Sequence, residues 1–314
     1  MFRKIAVAAG LMAAAFAAPA QAQSYPEKPI EFIVPWGPGG GSDTLMRIVA
    51  QGLAEETGQA IPVINMPGVG GNVGLAEFAK RPADGYTISQ IHEGLLVSSQ
   101  TGITELNWDS FIPVALVASS PQYLTLSKND NFSNFEEMVA YAKAHPGAVR
   151  AGVTLGGIPH VHIAMIEEAM GLQFSYVGYT DTGERIRALM GGNIDIAIGD
   201  ISSAKQFVDN GDLVYAAVGT AERTDDAPDV PTLKELGMDA ELVITRGVVL
   251  PKGTPQETVD ALEAHIEKVM QREDVIKLMK NAGADPVFYG QEKYSAYLEK
   301  LNATIAKLVG KLEG

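Results

Sequence analysis

Short apolar runs rich in Val and Ile alternate with amphipathic patterns of helical spacing along almost the whole chain. The apolar runs predict strands at Ile30–Trp36, Ile61–Asn65, Tyr86–Ile91, Pro113–Ala118, Leu124–Ser127, Arg150–Val153, Phe174–Val177, Ile194–Gly199, Leu213–Val218 and Leu242–Leu250. The helical patterns predict helices at Asp43–Thr57, Val73–Lys80, Phe135–His145, Val161–Met170, Gly183–Met190, Ala204–Asn210, Gln256–Gln271 and Gln291–Leu312, with a short strand at Asp285–Tyr289. Such alternation indicates an α/β fold of mainly parallel sheets flanked by helices.

The domain organisation follows from two long extended stretches, Ser119–Ser127 and Leu242–Leu250, which bracket a self-contained block of strand–helix units. We predict a first lobe of residues 24–122 plus 246–314 and an inserted second lobe of residues 123–245. Two chain crossings form a hinge, and α/β lobes bind ligands at the carboxyl ends of their strands. The expected ligand site is therefore a cleft between the lobes.

The first 22 residues have the pattern of a secretory signal peptide. Arg3 and Lys4 precede an apolar stretch from Ile5 to Ala18, and Ala20-Gln21-Ala22 places small residues where a signal peptidase cleaves. We predict an exported, periplasmic protein cleaved near Ala22, without membrane insertion; a retained anchor is the alternative. The chain contains no Cys, which excludes a lipoprotein anchor, disulfides and thiolate chemistry.

The charge is strongly negative. The chain has 24 Lys and Arg against 38 Asp and Glu, a formal net charge of −14 that becomes −16 when Arg3 and Lys4 are removed. Such a surface repels nucleic acid, so we expect no nucleic-acid partner. An anion would have to be held locally, by backbone dipoles or a few cations.

Four stretches place glycine or small polar residues between a predicted strand and a predicted helix: Gly37–Asp43, Pro67–Gly74, Thr154–His160 and Gly199–Ser203. Helix N-termini carry unpaired N–H groups and about half a positive charge, and they bind anions without Lys or Arg. Glycine lets a ligand approach these N–H groups closely. The pattern predicts a carboxylate-binding site.

Other chemistries lack their motifs. Neither "GPGGGSD" nor "GVGGNVG" fits a P-loop or a dinucleotide fingerprint, and there is no Gly-x-Ser-x-Gly or His-Glu-x-x-His. His160 and His162 lie about 200° apart around a helix, so they do not converge on one metal. We expect no cofactor, no metal and no enzymatic activity.

Six segments, in order, resemble the substrate-binding proteins of tripartite tricarboxylate transporters, the TctC or Bug family. They are "YPEKPIEFIVPWGPGGGSD" (Tyr25–Asp43), "MPGVGGNVGLAEFAKRPADGYT" (Met66–Thr87), "NWDSFIPVALVA" (Asn107–Ala118), "GGIPHVHIAMIEEAMG" (Gly156–Gly171), "YTDTGERIRALMGGNIDIAIGD" (Tyr179–Asp200) and "RGVVLPKGTP" (Arg246–Pro255). The resemblance implies a two-lobe periplasmic-binding-protein-like fold that captures a small organic carboxylate, often a di- or tricarboxylate. It also implies delivery of this ligand to a membrane permease of the same transporter type. We expect a monomer.

The resemblance also implies which residues form the cleft, where backbone N–H groups, hydroxyls and waters hold the carboxylate. In the first lobe they are Trp36, Gly37, Gly39, Gly40, Ser42, Asp43, Gly70 and Gly71; in the second they are Thr154, Gly156, Gly157, Ile158, Pro159, Asp200 and Ser202. Arg246 on a crossing strand is a candidate for a second carboxylate, and His92, with Glu93, departs from the family pattern. Thr245 stands where the family has an aromatic residue.

Several residues have a second interpretation. Trp36 suits core packing as well as a lid over the ligand, Ser42 and Asp43 suit helix capping, Asp200 suits capping of the next helix, and Arg246 suits an ion pair at the hinge. Two other functions also fit the sequence: a receptor that feeds a sensor kinase, and a secreted hydrolase or isomerase that uses Asp200, His92 and Glu93.

Overall fold

The computed structural model describes residues 25–128, 131–239 and 241–312, so the predicted signal peptide lies outside the described residues. The chain begins with three strands, each followed by a helix: β1 (Glu31–Val34), α1 (Gly41–Thr57), β2 (Val63–Asn65), α2 (Asn72–Phe78), β3 (Thr87–Ile91) and α3 (Glu93–Gln100). A long strand, β4 (Phe111–Ser127), then leads into a second group of elements.

This second group consists of α4 (Phe135–Ala144), β5 (Arg150–Val153), α5 (Ile158–Met170), β6 (Ser175–Gly178), α6 (Thr182–Met190), β7 (Ile196–Asp200), α7 (Ile201–Asp209) and β8 (Leu213–Val218). The chain returns through β9 (Val243–Pro251) and ends with α8 (Gln256–Met270), α9 (Glu273–Asn281), β10 (Asp285–Tyr289) and α10 (Gln291–Leu312). We call the elements from α4 to β8 the second half of the molecule. The first half consists of the elements from β1 to α3 and from α8 to α10, and β4 and β9 connect the two halves.

The strands form one sheet in the order β2-β1-β3-β9-β4-β7-β5-β6, and β8 and β10 also pair with β4. The outer strands pair in parallel, as the strand–helix alternation predicts. Antiparallel pairing is confined to the neighbours of the crossing strands β4 and β9. The predicted α/β class is confirmed, with a mixed sheet.

The structure corrects the sequence prediction at the crossing point. Pro113–Ala118 and Leu124–Ser127 are not separate strands but parts of β4, whose 17 residues pair with strands on both sides. Pro121, within β4, lies opposite Val243 in the ladder with β9, near that strand's end. The continuity of β4 supports the predicted division into lobes, which stays a prediction.

Two helices were not predicted. Residues Glu93 to Ser98 of α3 are all buried, so this helix shows no polar face and no amphipathic period. Only two residues separate helix α9 from the end of α8, and the predicted helical pattern stopped at Gln271.

Each half has its own hydrophobic core. In the first half, α1 buries Leu45, Met46, Val49 and Leu53 against β1 and α8. Full burial of such a side chain stabilises the fold by roughly 1.5–3 kcal/mol. In the second half, β5 and β7 contribute Ala151, Val153, Ile196 and Ile198 to a core that α4 and α5 cover. Within the described ranges, no helix has both the length and the apolar character needed to span a membrane.

Candidate ligand-binding cleft

A cavity of about 330 Å³ lies between the two halves, where loops from both reach the crossing strands. Most residues predicted for the site line it: Trp36, Gly37, Gly39, Gly40, Ser42, Gly70, His92, Thr154, Gly157, Ile158, Pro159, Asp200 and Arg246. Asp43, Gly71 and Gly156 do not line it, and the side chain of Ser202 lies outside the described part of the structure. The strand-end loops that the sequence placed far apart therefore meet around one volume.

The N-terminus of α1 faces this cavity without a side-chain cap. The N-cap residue is Gly40, not Ser42 or Asp43 as expected, because the helix begins two residues earlier than predicted. Among the described residues, no acceptor occupies the N–H groups of Gly40, Gly41 and Ser42. This 17-residue helix thus presents free donors and the positive end of its dipole.

Asp43 shapes the glycine loop rather than the cavity. Asp43 is 4% exposed, and its carboxylate accepts hydrogen bonds from the Gly39 N–H (2.9 Å), Arg47 Nε (2.9 Å) and Asn65 Nδ2 (2.8 Å). Burial alone would raise the pKa of Asp43, but these hydrogen bonds, that of Arg47 foremost, lower it below its ordinary value. Gly39 has φ of 80°, a left-handed conformation that favours glycine.

The second half also places a helix N-terminus at the cavity, but with fewer free donors: the Gly157 N–H donates to the Thr154 carbonyl (2.8 Å) and Pro159 has no N–H, which leaves the N–H of Ile158. Helix α5 begins after Gly157, which makes no side-chain cap, and Ile158 and Pro159 line the cavity from its first turn. Gly156, in the loop before α5, does not line the cavity, and its N–H donates to His160 Nδ1 at 3.2 Å. Two uncapped helix N-termini, one from each half, therefore face the same volume.

Trp36 and His92 form a stacked pair on the wall of the first half, with ring centroids 4.0 Å apart. Gly71 supports this pair, because a Cβ atom there would come within 2.8 Å of Trp36 Cζ2. Burial, helped by the nearby charge of Arg246, lowers the pKa of His92 to about 3. Its Nδ1 accepts the Gly94 N–H at 2.8 Å, so the neutral ring carries its proton on Nε2 and can donate there.

Arg246 and Asp200 pair at the base of the cavity, and both are buried. Arg246 Nη2 lies 3.3 Å from Asp200 Oδ2, and the guanidinium also donates to Ser42 Oγ (3.1 Å) and Ser120 Oγ (2.6 Å). Asp200 Oδ1 accepts Gln122 Nε2 at 2.5 Å. Through the hydrogen bond from Arg246 to Ser42, the pair links helix α1 of the first half to strand β7 of the second half. Asp200 is the N-cap residue of α7, as the alternative expected, but its side chain makes no capping hydrogen bond there.

Glu93 is buried beside the cavity but does not line it. Its carboxylate accepts the Thr245 N–H (2.9 Å) and the Thr245 hydroxyl. Burial raises the pKa of Glu93. Two of the positions that depart from the family pattern, Glu93 and Thr245, therefore bind each other. The grouping of Asp200, His92 and Glu93 that a hydrolase or isomerase would need does not meet in the cavity.

One whole wall of the cavity was not predicted from the sequence. This wall is the loop that ends β6 and begins α6, together with two arginines on that helix: Thr180, Asp181, Thr182, Gly183, Arg185 and Arg187. Gln122 and Ile244 on the crossing strands were also missed. The loop follows a strand and begins a helix, so the strand-end rule could have found it; it lacks the run of glycines that marked the other loops.

Within the described ranges, no group of three or more His, Asp or Glu side chains is placed to hold a metal ion. The cavity combines backbone N–H groups, hydroxyls and guanidinium groups, which are donors suited to an anion.

A two-part α/β fold joined by crossing strands, with a donor-lined cleft between its parts, defines a solute-binding protein of the periplasmic-binding-protein type. The sequence model of the tripartite tricarboxylate transporter family receptor (TctC) matches residues 45–313. The chain belongs to this family, which confirms the resemblance read from its motifs.

Individual relatives are similar to this chain over most of its length. Protein BugT of Bordetella pertussis is 30% identical over 295 residues, which cover 91% of this chain and 90% of BugT. The solved structure of the periplasmic binding protein BugD is 26% identical and superposes with a TM-score of 0.82, covering 91% of this chain and 98% of BugD. An R. palustris protein solved with adipate is also 26% identical, with a TM-score of 0.84 and coverage of 91% and 98%.

Proposed function

We propose that this protein captures a small organic carboxylate, with a di- or tricarboxylate favoured, in the cleft between its halves. It does so in the periplasm, as a monomer released from its signal peptide near Ala22, and it passes the ligand to a membrane permease of the tripartite tricarboxylate type. The halves correspond to the predicted lobes, residues 24–122 plus 246–314 and residues 123–245. They close around the ligand by bending at β4 and β9.

The observation that carries this proposal is the pair of uncapped helix N-termini, those of α1 and α5, at one cavity. A chain of net charge −14 does not attract anions at long range, so its affinity must come from such local donors. In a cleft that excludes water, backbone N–H groups hold a carboxylate with charge-assisted hydrogen bonds. A related structure solved with adipate supports a carboxylate of this size.

Delivery to a permease rests on family membership, because the receptors of this family are named for their transporter. The alternative, a receptor that signals to a sensor kinase, uses the same cleft and the same closure. Co-purification of the ligand-loaded protein with either membrane partner separates the two functions.

The first experiment is thermal unfolding of the mature protein against mono-, di- and tricarboxylates, with sugars and neutral amino acids as controls. A ligand at about 100 times its Kd stabilises the fold by about 2.7 kcal/mol. We expect a shift with certain carboxylates only. A response to sugars or amino acids alone would overturn the proposal, and so would no response to any carboxylate.

The same samples test for catalysis. After incubation with each stabilising carboxylate, we expect NMR of the filtrate to recover the compound unchanged. Formation of a product that depends on the protein would instead support the hydrolase or isomerase alternative.

A further inference from the structure

Arg185 is a buried cation on the wall of the cavity formed by α6 and the loop before it. It lies on α6 and is 2% exposed. Its side chain packs over Gly152 of β5, and a Cβ atom on Gly152 would lie 3.6 Å from the Cγ and Cδ atoms of Arg185. The guanidinium donates to Thr154 Oγ1 (2.8 Å), Thr182 Oγ1 (2.8 Å) and the Ile198 carbonyl (3.3 Å). Its Nε atom is buried without a hydrogen-bond partner among the described residues.

The charge of Arg185 lacks a matching carboxylate. Among the described residues, no acidic group lies within ion-pair distance, in contrast to Arg246, which pairs with Asp200. The three acids whose charges act on Arg185 have other partners: Asp181 caps α6 by accepting the Glu184 N–H, Glu184 accepts the N–H and hydroxyl of Thr180, and Asp200 pairs with Arg246. Burial lowers the pKa of Arg185 to about 10, so it is charged at neutral pH. A buried, unpaired charge is destabilising unless another group compensates it.

The hydroxyl groups of Thr154 and Thr182 connect Arg185 to the cavity by hydrogen bonds. Arg185 fills one acceptor position on each hydroxyl oxygen, so each hydroxyl proton is free to be donated elsewhere. Thr154 and Thr182 both line the cavity, and they come from different strand-end loops of the second half. A guanidinium behind two hydroxyls makes them stronger donors toward an anion.

We propose that Arg185, Thr154 and Thr182 form a second anion subsite, which binds a carboxylate of the ligand distinct from the one held at the N-terminus of α1. The two hydroxyls contact this carboxylate, and Arg185 orients and polarises them while its charge is neutralised. The subsite makes the cleft selective for ligands with two or more carboxylates. This inference rests on the proposed function and assigns its specificity to named residues.

The position of the subsite also couples binding to closure. The N-terminus of α1 belongs to the first half, whereas Arg185, Thr154 and Thr182 belong to the second. A ligand with a carboxylate at each end bridges the halves, and a monocarboxylate satisfies only one of them.

The test compares the wild type with Arg185→Met and Thr182→Val. Kd values are measured by calorimetry for succinate, malate, glutarate, adipate and citrate, and for the monocarboxylates butyrate and hexanoate. Loss of a hydrogen-bond system to a charged group corresponds to about 10- to 100-fold in Kd. We expect this loss for the di- or tricarboxylates that the wild type binds, and less than about threefold for monocarboxylates.

Lys143→Gln is the matched control, because Lys143 is an exposed cation on α4 of the same half. It removes one positive charge without touching the cavity, so all affinities should stay as in the wild type. Melting without ligand adds a second readout: Arg185→Met, which removes an uncompensated buried charge, should not lower the melting temperature. Thr182→Val retains the guanidinium and tests the subsite even if Arg185→Met fails to fold.

The outcomes separate the two proposals. If the wild type binds none of these acids, the proposed function fails and the subsite with it. If the wild type binds them but both variants keep its dicarboxylate affinity, or lose mono- and dicarboxylates equally, only the subsite is overturned. If the wild type binds only acids with several carboxylates, the test uses the Kd values for those acids alone. Higher Kd values in the variants support the subsite, and unchanged Kd values overturn it.

Discussion

The buried ionisable residues of this protein differ in which groups form hydrogen bonds or ion pairs with them. Arg246 has a carboxylate partner in Asp200, Glu93 has donors in Thr245, and Arg185 has only hydroxyls and a carbonyl. His162, on α5, is a fourth case: it is 6% exposed and its Nδ1 has no partner among the described residues. Burial lowers the pKa of His162 to about 3, so its ring is neutral in the folded protein.

His162 should make the protein less stable in mild acid. In the unfolded chain the histidine takes up a proton below its ordinary pKa of about 6.5, whereas in the folded chain it stays neutral down to about pH 3. The free energy of unfolding should therefore fall by about 1.4 kcal/mol per pH unit below pH 6.5 from this residue alone. Urea unfolding at pH 7.5, 6 and 5 measures this slope.

His162→Gln should remove that part of the slope. His145→Gln serves as the control, since His145 is exposed at the end of α4. The comparison uses the change in the free energy of unfolding between pH values. A loss of stability in the variant that is the same at every pH therefore does not affect it. Equal slopes for His162→Gln and the wild type would contradict the prediction.

At the scale of secondary-structure elements, two of the helix N-termini at the cleft begin from glycine and have no side-chain cap. Helices α4 and α6 are capped by the side chains of Asn134 and Asp181, whereas α1 and α5 start from Gly40 and Gly157 without side-chain capping. Their free N–H groups lower the stability of the helix ends and leave donors for a ligand. Both kinds of N-terminus occur at the cavity, because Asp181 at the start of α6 also lines it.

Gly41, the first residue of α1, also sets how closely this helix approaches the ion pair. A Cβ atom on Gly41 would come within 2.2 Å of Asp200 Oδ2 and 2.9 Å of Arg246 Nη2. Gly41→Ala should therefore displace the pair and lower the free energy of unfolding by about 1–3 kcal/mol, the usual range for overpacking. Chemical denaturation without ligand measures this loss.

Gly40→Ala provides the contrast. The Cβ atom at Gly40 would meet only the Gly37 carbonyl, at 3.7 Å, and its φ of −79° suits any residue. We expect a loss of about 1 kcal/mol or less from the poorer N-cap. If the two variants lose the same stability, close approach at Gly41 is not what requires glycine there.

For the whole molecule, the two halves are joined by β4 and β9 and also meet at the mouth of the cleft. Ile103 follows α3 in the first half, and its Cδ1 would lie 2.3 Å from a Cβ atom on Gly156, in the loop before α5. Any side chain at Gly156 would therefore push against the opposite half. Gly156 also has φ of 69°, which strains other residues.

Gly156→Ala should open the cleft. Because the chain contains no Cys, spin labels can be attached at Lys80→Cys in the first half and Lys143→Cys in the second. We expect a longer distance between the labels in Gly156→Ala, and a return toward the wild-type distance when Ile103→Ala is added.

Gly192→Ala controls for backbone strain. Gly192 has a similar φ of 65°, and a Cβ atom there would meet nothing within 4 Å. This variant should lose about 1 kcal/mol of stability with no change in the label distance. An unchanged distance in Gly156→Ala would show that the contact with Ile103 does not limit closure.

The sequence by itself determined the α/β class, most element positions and the family. Strand and helix periods are local, so Arg150–Val153, Leu213–Val218 and Gln291–Leu312 could be placed residue by residue. The glycine loops were also visible, because a strand end followed by glycine and a helix start is a pattern within a few positions. Their meeting at one cavity followed from the rule that strand carboxyl ends gather at one edge.

Only the tertiary structure decided which polar groups meet. Asp200 and Arg246 are 46 positions apart, and Glu93 and Thr245 are 152 apart. These contacts depend on β9 returning between β3 and β4, which no local pattern specifies. The same holds for Arg185: on the sequence it is one charge of an amphipathic helix, and only the packing of α6 over Gly152 buries it beside Thr154. Local periodicity fixes the elements, whereas the burial and pairing of charges depend on which elements become neighbours.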